Sequence, residues 1–373
     1  MGNIINASNI SVGGGVQASA SIINELMSLF PDDIIFLVSP SVFNELNMAL
    51  VKKNKVEIIS PSPNKINGLR SILQIKKIVI KNNPEVFITL FGPTYFHPGN
   101  TKHIVGFAQG WLIYDNESSL SLMKLKDRIK RVLLNQIQTF FFKRNSDAFI
   151  VETKDVKNKI INKFNISDER VFVNSNTVSA NFINFDNSKR EKKIVDGYSF
   201  KDGDIKLLTV AYPYPHKNLG VINELIRILP RHYKFIVTIP PDIFPSIFPN
   251  YSEQIINIGS VSNSDCPALY DFCDAVFLPS LIECFSCNYA EAFFSKKPLF
   301  TSNLSFATST CGNAAFYFNP TDVEDIARTI FEAYENPDKI ENKVLCGYNK
   351  SMTFPSPKQR ALSLLDFAKS FSK

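Results

Sequence analysis

A chain of 373 residues is long enough for two domains of ordinary size, and 45% hydrophobic with 20% charged residues is the balance of a packed protein, not of a disordered one. The net charge of +6 favours phosphorylated ligands or an anionic membrane surface but is too weak a bias to argue for nucleic acid. No segment approaches about 18 uninterrupted apolar residues. The opening "MGNIINASNISVGGG" lacks a basic region followed by an apolar one, so a cytoplasmic protein is expected.

From the N-terminus, "NIINAS" is a β-like run, followed by an amphipathic stretch over 16–29, the run "DIIFLVSP", a helix over 72–81, and the runs "EVFITLF" and "HIVGFA". "DAFIVET", a helix over 157–164 and "RVFVNSN" close this half. Such alternation predicts a parallel sheet with helices on both faces. Residues 187–206 are charged, contain two glycines and show little periodicity, as an interdomain connection does. The pattern then restarts: "IKLLTVA", a helix over 218–229, "YKFIVTI", "IINIGSV", "DAVFLPS", a helix over 286–294, "PLFTS", "AAFYFN" and a helix over 323–334. The tail predicts a last helix entered through prolines. The expected architecture is α/β, two Rossmann-like doubly wound domains over 1–186 and 187–350, with a C-terminal helix over 351–373.

Ligands of open parallel sheets bind beyond the carboxyl ends of the strands, so the loops that follow strands are searched for chemistry. Gly13, Gly14 and Gly15 stand between a strand and a helix, where missing side chains let a backbone approach an anion. The following strand ends in "FLVSP" without the acidic residue that would hold a ribose, which disfavours a nicotinamide cofactor. Lys217, in "AYPYPHKNLG", sits at a second strand-to-helix junction and suits a diphosphate.

In "LIECFSCNYAEAF", Glu283 precedes a helix that Ser286 starts, and Glu291 falls in its second turn. Eight residues correspond to roughly 12 Å along a helix axis. Paired glycosidase carboxylates lie only about 5 to 9.5 Å apart, so these two do not flank a single bond. They suit the two ends of an extended ligand with an anionic middle, such as a sugar nucleotide, whose hydroxyls a carboxylate can accept. Cys266, Cys273, Cys284 and Cys287 lack the two close pairs of a zinc site and are expected as free thiols.

These residues resemble the retaining GT-B glycosyltransferases of the family-4 type. The resemblance runs through "GGGV", "VFVNSNTV", "PHKNLG", "NIGSVS" and above all "LPSLIECFSCNYAEAFFSKKPLFTS", an E-x7-E motif in context, followed by "AAFYFNPTD". It implies that Glu291 binds the ribose hydroxyls and Glu283 the donor sugar, assisted by backbone amides around Cys284, Phe285 and Ser286. Lys217 would stabilise the leaving diphosphate, Gly14 and Gly15 would approach it from the other domain, and Val261 would lie near the base. The resemblance also implies that no metal or cofactor is needed, the nucleotide-sugar being a co-substrate, and that the last helix crosses back to the first domain. Two positions depart from the family pattern. Tyr212 stands where an arginine is usual, and Gln109 occupies the place of a His-Asp pair.

The expected acceptor is a glycan, as in a lipid-linked O-antigen or capsule intermediate, with Trp111, Tyr114 and Asp115 as candidate contacts. Residues 121–144 carry seven basic residues against the single acid Asp127 on a helical apolar pattern, which predicts either peripheral contact with an anionic membrane or a core-packed helix with a basic outer face. Two further readings stay open: a sugar-nucleotide 2-epimerase of the same architecture, disfavoured by only four histidines, and a non-catalytic sugar-nucleotide binding subunit.

Overall fold

The computed structural model describes residues 2–115, 117–185, 197–250 and 252–372. It divides into two compact units, one of residues 1–113, 126–179 and 355–373, the other of 114–125 and 180–354. The composition break at 187–206 lies partly outside the described residues, and the division falls at 179/180, directly after the last strand of the first sheet and its loop.

In the first unit seven strands form one sheet: β1 (Asn3–Ala7), β2 (Ile34–Val38), β3 (Lys55–Ile58), β4 (Val86–Thr89), β5 (Lys102–Gly106), β6 (Ala148–Val151) and β7 (Val171–Val173). Every pairing is parallel, in the order β3-β2-β1-β4-β5-β6-β7. β4 is buried along its whole length, which is why it reads as a continuous apolar run. The edge strand β3, "KVEI", is largely exposed and carries no core periodicity, so the sequence gives no sign of it. The helix Lys154–Phe164 is capped by Thr153, whose Oγ1 accepts from the Val156 amide at 3.1 Å, and it ends on left-handed Asn165. The final helix, Pro357–Ser372, packs on this unit. Ala361, Leu364, Leu365 and Ala368 enter the core built by the helix Gly14–Leu29 and the β1 and β4 side chains of that sheet face.

The second unit holds β8 (Ile205–Thr209), β9 (Tyr233–Val237), β10 (Ile255–Asn257), β11 (Ala275–Leu278), β12 (Leu299–Ser302) and β13 (Ala315–Phe318). They form a parallel sheet in the order β10-β9-β8-β11-β12-β13. Strand order reverses between β8 and β11, so the crevice beyond their carboxyl ends is the expected ligand position of this unit. The helix predicted over 218–229 starts late. Asn218 adopts φ 54° and its Nδ2 donates to the Pro320 carbonyl at 2.8 Å, which breaks the backbone into short turns before the regular helix Ile222–Ile228.

Candidate active site

Lys217 and Glu283 come from the two loops that face each other at the β8/β11 switch point. Backbone hydrogen bonding joins these loops, with the Leu281 amide donating to the His216 carbonyl at 2.7 Å. Asn288, in the first turn of the next helix, ties the same crevice from below by donating from Nδ2 to the Val210 carbonyl at 2.7 Å. In this frame the Lys217 ammonium donates to Glu283 Oε1, the two side chains being only 20% and 10% exposed. A mostly buried carboxylate is thereby neutralised by the lysine ammonium of the facing loop. Tyr212 is exposed and its ring lies 4.7 Å from Tyr214, which stacks in turn on His216 at 5.6 Å.

The helix after β11 runs Cys287–Phe294, with Ser286 as N-cap in extended conformation and no side-chain cap bond. In its first turn the Tyr289 amide donates to the Ser286 carbonyl at 3.1 Å, and the N-terminal amides of a helix are in general anion donors. Cys284 and Ser286 are buried and Phe285 packs edge-on against Phe354. Glu291 is partly buried. The Tyr270 hydroxyl donates to its Oε2 at 2.7 Å, and burial, outweighing that hydrogen bond, pushes the carboxyl up to about 7. Tyr270 itself is fully buried, and burial together with the neighbouring Glu291 charge drives its phenol well above the ordinary value, so it remains a donor at every physiological pH. One oxygen of Glu291 is thus held by the protein, and the other is the one a hydroxyl ligand can use.

Val261 lies beyond β10, just past Gly259, which has φ 76°. The turn is fixed by Asn257, whose Oδ1 accepts from the Ile239 amide at 3.0 Å and the Gly259 amide at 3.2 Å. The structure therefore brings Lys217, Glu283, Cys284, Phe285 and Ser286 together at β8/β11, and places Glu291 in the helix that leaves it.

The first unit has its own switch point, between β1 and β4. Asn9 spans it, donating from Nδ2 to the Phe91 carbonyl at 2.6 Å. Gly13 beside it has φ 73°, a left-handed conformation that favours glycine, and Gly14 and Gly15 open the helix Gly14–Leu29. A Cβ at Gly14 would meet nothing within 4 Å, so packing inside the chain does not require that glycine. Gln109 is partly buried and begins a short turn after β5. Trp111 is buried, with the Arg131 guanidinium 4.8 Å from its ring centroid, so its face is already covered. Tyr114 and Asp115 group with the second unit, where Tyr114 packs edge-on against Phe306 and Asp115 is exposed.

Sequence reading missed Tyr270 and Asn288, which orient Glu291 and the β8 loop. The only trace was their nearness to the E-x7-E motif. All six cysteines are free, burial pushes the Cys266 thiol up to about 12, and among the described residues no group of three or more metal-ligating side chains converges.

Two parallel-sheet α/β units of this kind make the GT-B fold, and structural comparison shows the same architecture. A glycosyltransferase of Rickettsia africae superposes with a TM-score of 0.75 at 15% identity, covering 100% of this chain and 99% of that one. HepE of Anabaena, solved with UDP and glucose, gives 0.73 at 12% over 99% and 100%. WaaG, a glycosyltransferase involved in lipopolysaccharide biosynthesis, gives 0.70 at 11% over 98% and 99%. Within that fold, residues 249–349, a stretch that contains Val261, Tyr270 and both glutamates, match the family model described as glycosyl transferases group 1. Among curated proteins, the serotype-specific mannosyltransferase WbdA of Escherichia coli is 27% identical over 213 residues, 54% of this chain and 26% of WbdA. The O-antigen chain mannosyltransferase RfbU of Salmonella typhimurium is 23% identical over 192 residues, half of each chain. The chain thus spans about a quarter to a half of the length of the curated relatives it matches.

Proposed function

We propose that this protein is a retaining, metal-independent glycosyltransferase that moves a hexose from a nucleotide-sugar donor to a glycan acceptor, with a lipid-linked O-antigen or capsule intermediate as acceptor and mannose as the first sugar to test. The observation that carries the reading is the assembly of Lys217, Glu283 and the Ser286-capped helix at the β8/β11 switch point, with Glu291 held by Tyr270 in that helix. The group 1 domain and the mannosyltransferase names of the curated relatives support it.

In this reading Glu291 accepts from the ribose hydroxyls and Glu283 from the sugar hydroxyls. The helix N-terminal amides and Lys217 take the diphosphate. As the bond from the anomeric carbon to the phosphate oxygen breaks, Lys217 balances the charge growing on the diphosphate. The acceptor hydroxyl attacks from the same face and gives its proton to the departing phosphate oxygen, so configuration is retained. Gly14 and Gly15 are assigned to phosphate approach in the first unit, Gln109 to hydroxyl recognition, Val261 to the base, and Tyr114 and Asp115 to the acceptor. Trp111 is left out of this assignment because Arg131 covers its face.

The test is transfer of labelled sugar from nucleotide-mannose and nucleotide-glucose donors to a lipid-linked glycan extract, with EDTA present and with nucleoside diphosphate release followed in parallel. Glu283→Ala should abolish transfer while bare nucleotide still binds. Release of nucleotide with no glycosylated product, or epimerised donor recovered instead, would contradict the reading.

A further inference from the structure

The loop after β8, "AYPYPHK", alternates aromatic residues with prolines: Tyr212, Pro213, Tyr214, Pro215, His216. A proline fixes its own φ and restricts the residue before it, so this segment has little conformational freedom left to lose when a ligand binds. Hydrogen bonds hold it further. The Tyr214 amide donates to the Tyr212 carbonyl at 2.8 Å across Pro213, and the Lys217 amide donates to the Tyr214 carbonyl at 2.9 Å. At the two ends of the segment the Ala211 amide donates to Thr238 Oγ1 at 3.3 Å, and the His216 carbonyl accepts from the Leu281 amide at 2.7 Å.

This frame sets three rings in a row. The centroids of Tyr212 and Tyr214 lie 4.7 Å apart, and Tyr214 and His216 are parallel within 9° at 5.6 Å, which is offset stacking. An offset row leaves part of the tyrosine faces uncovered: Tyr212 is 45% and Tyr214 37% exposed, and His216 and Lys217 beyond them are half-buried. The row therefore leads from solvent to the Lys217 and Glu283 pair. None of the three rings belongs to the core cluster on which β8, β9 and β11 pack, so core packing does not account for them.

The ring faces select the ligand. An anion gains nothing from the negative face of a phenol ring. A pyranose turns C–H bonds toward such a face and carries hydroxyls around its rim, within reach of the phenol O–H and imidazole nitrogens at the ring edges. A nucleobase is also flat, but the loop assigned to the base follows β10, which β9 separates from β8, a distance of roughly 10 Å at two strand spacings. Three rings in a row extend beyond a single pyranose and match consecutive sugars of a chain.

We propose that Tyr212, Tyr214 and His216 form a stacking platform for the acceptor glycan, holding the sugars that precede the one to be extended at Lys217 and Glu283. The inference rests on the proposed sugar transfer and adds to it a place for the acceptor chain in the second unit, recognised by ring faces.

The experiment is titration of the full chain with two neutral probes, an α-linked mannotriose and maltotriose, followed by saturation-transfer NMR, with UDP and GDP titrated calorimetrically on the same samples. The wild type should bind at least one trisaccharide. Tyr212→Ala/Tyr214→Ala should weaken that binding at least about tenfold, whereas Tyr212→Phe/Tyr214→Phe, which keeps both ring faces, should retain most of it. Both tyrosines are exposed, so unchanged melting temperatures are expected for the two variants, and nucleotide affinity should be unchanged as well. No binding of either trisaccharide, full retention by the alanine variant, or equal loss in the alanine and phenylalanine variants overturns the platform. So does a nucleotide affinity that falls with the alanine variant, because a base would then be the ligand of the row. Trisaccharide binding without nucleotide binding would leave the platform standing and sink the donor site, and the reverse result would sink the platform alone.

Discussion

Replacing Glu291 by glutamine should remove a specific pH dependence from nucleotide binding. Its carboxyl is held up to about 7 by burial, against 4.5 ordinarily. The folded protein therefore keeps this proton over a range in which the unfolded chain has lost it. The resulting stability is fully present below 4.5 and declines as pH rises through the folded value. At about 1.36 kcal/mol per pH unit, that interval is worth on the order of 3 kcal/mol. Ligand binding has the opposite sign, since ribose hydroxyls donate and only the carboxylate accepts from both. At pH 6 about one molecule in eleven is ionised, so a nucleoside diphosphate should bind about tenfold more weakly than at pH 8. The terminal phosphate of the ligand titrates near 6 on its own account. The signal is therefore the difference between wild type and Glu291→Gln, followed by isothermal titration calorimetry from pH 5.5 to 8.5. An identical ratio of affinities at pH 6 and 8 in both proteins would refute the reasoning.

Tyr270→Phe removes the hydrogen bond that stabilises the Glu291 carboxylate, so the inflection of the same binding curve should move to higher pH; no movement would mean that Tyr270 only fills space. Lys217→Ala leaves Glu283 mostly buried and unpaired and should cost about 3 kcal/mol in urea unfolding, whereas adding Glu283→Ala should recover most of that loss. In the first unit, Arg360 reaches Glu152 at 3.4 Å beside a void of about 20 Å³, and Asn174 donates to the Arg360 carbonyl at 3.1 Å. Arg360→Met should cost about 3 kcal/mol or more and expose the final helix to proteolysis, with Glu152→Gln as the compensating change. Gly14→Ala meets open space and should leave the melting temperature unchanged or slightly raised, while weakening nucleotide binding if the phosphate approaches there.

Much of this was legible in the sequence because parallel strands buried on both faces read as continuous apolar runs, and the loops after them stand out. β4, β11 and β12 are buried throughout, and each was visible as a run. β3 was not, because an exposed edge strand carries no core pattern. The helix Pro337–Ser351 also went unread. Only Gly347 and Ser351 of it are buried, and Gly347 packs so closely on Phe293 that a Cβ would come within 2.6 Å of that ring, so its contact shows as a glycine and not as an apolar stripe. At the site, the spacing of Glu283 and Glu291 and the junction at Lys217 were readable as local motifs. The Lys217 to Glu283 ion pair and the Tyr270 to Glu291 hydrogen bond join residues 66 and 21 positions apart, and only the strand order brings them together.

The central claim is that the β8/β11 crevice of the second unit holds a nucleoside diphosphate. A thermal-shift screen of UDP, GDP, dTDP, CMP and NAD, with and without EDTA, tests it most directly. A ligand at a hundred times its dissociation constant stabilises the folded state by about 2.7 kcal/mol, a shift of several degrees. The account predicts that one nucleoside diphosphate stands out, that EDTA leaves the shift unchanged, and that Glu291→Gln reduces it. A screen in which no nucleoside diphosphate shifts the melting temperature, or in which only NAD does, would contradict it.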